Sequence, residues 1–111
     1  DIVAPGEIRR VRRFGGPGDL VAGLPGNQML DSLAIDAEGN VCVATLMRGG
    51  ITSISPDGER QTFSEMGDPM TTNICFGGEG LRTAYVTLSA SGRLVALEWP
   101  VAGLPLNFLN R

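Results

Sequence analysis

The chain has 111 residues, a formal net charge of −3 from 12 acidic and 9 basic side chains, and 42% hydrophobic residues. That hydrophobic content excludes a disordered chain, and the charge balance gives no reason to expect nucleic acid or a membrane surface as partner. No stretch approaches the ~20 apolar residues of a membrane span, and with no start Met or signal peptide visible processing is not legible. Two Cys do not make a secreted disulfide framework, and on that ground a cytoplasmic setting is expected. Gly at 16 and Pro at 7, with only 5% aromatic residues, point to short strands punctuated by turns, an all-β architecture.

The first elements are strands over 7–11 and 19–22. Between them Gly15-Gly16-Pro17-Gly18 contains Pro, lacks a following Lys, and reads as a hairpin loop rather than a phosphate cradle. Arg9, Arg10, Arg12 and Arg13 form a basic cluster around Val11. Arginines on both sides of Val11, with no interleaved aromatic residue, read as a strand whose cations pair with carboxylates. The next group is 32–35, 41–46, 51–55 and 60–64. Ala37-Glu38-Gly39-Asn40 and Pro56-Asp57-Gly58 are its turns, since Pro fixes φ and Gly accepts positive φ. Asp36, at a strand end beside such a turn, reads as turn chemistry. Val41-Cys42-Val43-Ala44 is nearly all apolar, as expected of a strand buried on both faces. The last group is 73–76, 84–88, 93–97 and 106–109, with a turn at Gly77-Gly78-Glu79-Gly80. Cys42 and Cys75 both lie in apolar runs and are expected to be free, reduced and buried.

These groups repeat. Ala37-Glu38-Gly39 returns as Gly78-Glu79-Gly80, and Ala44-Thr45-Leu46 as Val86-Thr87-Leu88. Gly50 before Ile51-Thr52-Ser53-Ile54 returns as Gly92 before Arg93-Leu94-Val95. A period of roughly 40–50 residues containing four short strands is the signature of propeller blades. Residues 1–30 are expected to be the outer half of one blade, 31–69 a complete blade and 70–111 the last. About two and a half blades leave apolar sheet faces uncovered, so the partners expected are the remaining blades of a ring or further copies of the chain.

Asp31 stands in Met29-Leu30-Asp31-Ser32-Leu33-Ala34-Ile35-Asp36-Ala37-Glu38-Gly39-Asn40, just before a short apolar strand and its acidic Gly turn. This run resembles the metal-binding segment of the SMP-30/gluconolactonase (regucalcin-like) family of six-bladed β-propeller sugar-lactone lactonases. The resemblance continues through Thr71-Thr72-Asn73-Ile74-Cys75-Phe76-Gly77-Gly78, Leu81-Arg82-Thr83-Ala84-Tyr85-Val86-Thr87 and Leu104-Pro105-Leu106-Asn107-Phe108. The order of these motifs is similar to that of the family's C-terminal part.

The resemblance implies a divalent metal ion (Ca²⁺, Zn²⁺, Mg²⁺ or Mn²⁺) in the central channel, held by a Glu, an Asn and an Asp. It implies that Asp31 is both metal ligand and catalytic base, with a small sugar lactone as substrate. Ser32 replaces a Gly that many members carry after that Asp. No residue here corresponds to the Glu and Asn ligands, and one oxygen ligand cannot hold a catalytic ion, so this chain alone is expected to be inactive. The rival reading is a non-catalytic propeller that binds or scaffolds, since propellers host both.

Overall fold

A computed structural model describes residues 7–10, 19–24 and 28–106. Among them, nine antiparallel strands form three sheets, and the one helical element is a 3-10 turn, Glu79–Leu81. Strands β1 (Glu7–Arg10) and β2 (Asp19–Gly23) make a two-stranded sheet. Strands β3 (Met29–Ile35), β4 (Val41–Leu46), β5 (Gly50–Ile54) and β6 (Gln61–Glu65) follow as a four-stranded meander. Strands β7 (Thr71–Gly77), β8 (Thr83–Leu88) and β9 (Arg93–Glu98) form a three-stranded one. Consecutive antiparallel strands in stacked sheets give an all-β chain, the layout of a partial β-propeller.

The middle sheet is buried on both faces, and β4 shows why its sequence reads as a continuous apolar run. Side chains alternate across a strand. Cys42 and Ala44 therefore join Ile51, Ile74, Ala84, Val86, Leu88 and Trp99 on one face. Val41 and Val43 join Ile8, Ala22, Leu24 and Ile54 on the other. Two buried hydroxyls are satisfied within this sheet: Thr45 Oγ1 donates to the Val43 carbonyl (3.2 Å) and pairs with Thr52 Oγ1 (2.7 Å). In β8 burial alternates strictly, so Ala84, Val86 and Leu88 face the core while Thr83, Tyr85 and Thr87 do not.

Between β5 and β6, Gly58 takes φ 78°, and a Cβ there would collide with the Val21 carbonyl oxygen of β2. Only Gly serves both the left-handed turn and this close approach. Of the arginine cluster, Arg9 pairs with Glu7 at 3.0 Å and Arg10 Nη2 donates to the Pro56 carbonyl at 3.1 Å. Arg12 and Arg13 lie outside the described residues.

Three expectations need correction. The strand expected over 32–35 begins at Met29, so Asp31 lies inside it rather than before it. Met29 and Leu30 extend the ladder by pairing with Leu46 and Thr45, and a register shift between Leu30 and Leu33 hides this extension from a period-two reading. Cys42 is buried, but Cys75 is exposed; both are free thiols. Cys75 alternates with the buried Ile74 and falls on the face of β7 that no sheet of the described residues covers. A last strand over 106–109 is not seen at Leu106, and 107–109 lie outside the described residues.

Candidate functional site

The sequence singled out two acids five positions apart, Asp31 and Asp36, and the structure gives them different surroundings. Asp36 closes the β3–β4 turn and is 2% exposed. Its Oδ1 accepts from the Glu38 and Asn40 backbone N–H groups (3.0 and 2.9 Å), and its Oδ2 accepts from Asn40 Nδ2 (2.8 Å). Three of the roughly four acceptor sites of this carboxylate serve the turn, and at 2% exposure the group is closed to a ligand.

Asp31 is the opposite case. It is half-buried on β3, the edge strand of its sheet. Leu30 pairs with Thr45 and Leu33 with Val43, so Asp31 and Ser32 together face the single residue Ala44. A bulge of this kind bends the strand and re-aims a side chain. Among the described residues, no hydrogen bond or ion pair engages the Asp31 carboxylate. The adjacent edge strand β7, packed against β3, has its own register shift between Thr71 and Asn73. Asp31 and Asn73 thus sit at the bulged starts of two neighbouring edge strands.

The loops at this end are tied together by Asp68, which the sequence reading passed over. Asp68 is buried. Its Oδ1 accepts from the Met70 N–H (2.8 Å), and its Oδ2 accepts from Ser91 N–H (3.0 Å) and Ser91 Oγ (2.8 Å). Burial pushes the carboxyl pKa up, but the donors from Ser91, Met70 and Ala90 together outweigh it and hold the group below its usual range. The neighbouring Pro69 carbonyl accepts from Met47 N–H (2.7 Å), which joins the β4–β5 turn to the β6–β7 connection. Asp-Pro between two strands was the available signal, since that dipeptide starts turns.

No group of three or more His, Cys, Asp or Glu among the described residues is arranged to hold a metal ion. Asp31 supplies one hard oxygen donor, whereas Ca²⁺ takes six to eight oxygens and Mg²⁺ six. The described residues do not fit a complete divalent-cation site.

The sequence pattern of the SMP-30/Gluconolactonase/LRE-like region matches residues 7–90, a span that includes both bulged edge strands. The chain belongs to that family. It is 33% identical over 75 residues to a 6-deoxy-6-sulfogluconolactonase of Pseudomonas putida, an alignment covering 66% of this chain and 26% of that protein. It is 35% identical over 66 residues to human regucalcin, covering 59% of this chain and 22% of the relative. The chain therefore spans about a quarter of the length of these family members. No helix among the described residues is long and apolar enough to cross a membrane.

Proposed function

We propose that this chain is the C-terminal part of a sugar-lactone hydrolase of the SMP-30/gluconolactonase family. The observation that carries the reading is Asp31: a half-buried carboxylate with free oxygens, on a bulge of an edge strand, inside the matched segment. The relative in Pseudomonas putida is named a 6-deoxy-6-sulfogluconolactonase, which supports a sugar lactone as the substrate class.

Opening a lactone requires water to attack the ring carbonyl and give up a proton. Asp31 accepts that proton as general base, a role worth about 10²–10⁴ in rate. Its carboxylate suits the task because no donor among the described residues competes for its oxygens, in contrast to Asp36. One of these oxygens would also serve as a hard donor for Ca²⁺, Mg²⁺, Mn²⁺ or Zn²⁺, and the remaining ligands would have to come from outside the described residues. The fold is left to hold the acid in place. The Asp68 latch and the Asp36 turn fix the two ends of the blade that carries it.

The reading is tested by proton release from glucono-δ-lactone. The assay uses the protein that contains this chain, in turn with each of the four cations and with chelator. The expected result is hydrolysis above the spontaneous rate that chelator abolishes. Absence of turnover with all four cations removes the lactonase reading and leaves a propeller that binds or scaffolds.

A further inference from the structure

We propose that the groove along β3 and β7, whose lining does not include Asp31, is a subsite separate from the lactone-opening position and takes a small ligand with an alkyl portion and an acceptor oxygen, an alkyl-bearing lactone; a fully hydroxylated sugar lactone is not held in this groove. Only the oxygen-bearing end of this ligand rests on the lactonase reading. The groove has a volume of about 410 Å³, within the range of small-molecule sites. Its walls are Leu33, Ile35, Ile74, Phe76, Leu104 and Leu106. Leu104 is held in place by its N–H donating to the Ile35 carbonyl at 3.0 Å, and Gly103 by an N–H bond to the Leu81 carbonyl at 2.8 Å. Gly103 also packs so closely on Phe76 that a Cβ would collide with it. The apolar wall is therefore a fixed part of the fold.

One polar side chain in the groove is already oriented. The Ile74 N–H donates to Asn73 Oδ1 at 2.8 Å, which turns the amide so that both Nδ2 hydrogens are left to donate. An amide fixed before a ligand arrives costs little to order on binding. Its donors suit a carbonyl or ring oxygen. A polyhydroxylated ring in the same space would bury several hydroxyls against leucine and isoleucine without partners, which is unfavourable. An alkyl chain with a single ester oxygen matches both the wall and the amide.

Cys75, exposed and lining the same groove, is a built-in reporter, since the other thiol, Cys42, is buried. The experiment measures the alkylation rate of Cys75 with and without δ-decalactone, and with glucono-δ-lactone. On this proposal δ-decalactone slows the reaction by one plus the ratio of its concentration to its Kd, and glucono-δ-lactone does not. Leu104→Asp, at an exposed position, should abolish the protection, and Asn73→Ala should weaken it. Both should leave the unfolding midpoint unchanged, and protection is read against each variant's own ligand-free rate, because the carboxylate of Leu104→Asp disfavours the Cys75 thiolate and slows labelling by itself. No protection by δ-decalactone, equal protection by glucono-δ-lactone, or undiminished protection in Leu104→Asp overturns the proposal. Hydrolysis is read separately on the same samples. Protection without turnover of either lactone keeps the subsite and removes the lactonase reading. Turnover of glucono-δ-lactone without protection by δ-decalactone does the reverse.

Discussion

Replacing Asp36 by Ala should destabilise the chain strongly, although Asp36 lies only five positions from the candidate catalytic acid. The side chain is 2% exposed and accepts three hydrogen bonds, from Glu38 N–H, Asn40 N–H and Asn40 Nδ2. Bonds to a charged group contribute about 1.5–3 kcal/mol each. Glu38 is exposed and Asn40 half-buried, so water recovers part of that loss. A net cost of about 2–3 kcal/mol follows. The turn also anchors a second element, because Ala37 N–H donates to the Ala102 carbonyl at 2.7 Å. Urea unfolding followed by the fluorescence of Trp99, the single tryptophan and a buried one, is the assay. With a slope of about 1–1.5 kcal/mol per M for a domain of this size, the midpoint should fall by about 2 M. Asp31→Ala, which removes no hydrogen bond among the described residues, should stay within about 0.5 kcal/mol of the parent. An Asp36→Ala midpoint within the same margin would refute the division of these acids into one that holds the turn and one left free.

Cys42 gives an alkaline signature. Burial is the main cause that pushes its thiol from 9.0 to about 11. A folded value raised above the unfolded one contributes stability below pH 9 and loses it as pH rises toward 11. Urea midpoints should therefore fall across that window, and Cys42→Ala should flatten the fall. Asp68 gives the acid counterpart, since its folded pKa is depressed from 3.8. Its contribution is present above that value and lost as pH falls through the lower folded one, so Asp68→Asn should lower stability at neutral pH and flatten the acid limb of a midpoint–pH curve. Gly103→Ala forces a Cβ into Phe76 and should cost about 1–3 kcal/mol. Amide exchange at Ala37 and Leu104, whose bonds tie residues 102–104 to β3, should quicken more than exchange in β4.

Much of the fold was legible because local chemistry marks it. Gly39 and Gly58 sit at positive φ in the turns where the sequence expects them, and the unbroken apolar run of β4 corresponds to a strand between two cores. The Asp36 turn was legible too, since its partners lie within four residues. What failed depends on distant contacts. Cys75 has apolar neighbours on both sides, and only the stacking of sheets decides that Ile74 faces the core and Cys75 does not. The latch from Asp68 to Ser91 crosses 23 residues and leaves no periodic trace. The start of β3 was misplaced because the bulge at Asp31 and Ser32 breaks the alternation that marks a strand. That bulge coincides with the candidate catalytic position, where departures from regular pattern are expected. The motif around Asp31 identified the position, while its free carboxylate and its place opposite Ala44 emerge only from the paired strands.

The most direct test of the central claim is the lactone hydrolysis rate of Asp31→Asn in the protein that contains this chain, measured beside Asp36→Asn at matched folded fractions. Asparagine keeps the size of the side chain and removes its capacity to accept a proton. The account predicts that Asp31→Asn loses about 10²-fold or more in rate with an unchanged unfolding midpoint. Asp36→Asn should lose stability and keep the rate of its folded fraction. Undiminished turnover by folded Asp31→Asn would contradict the assignment of Asp31.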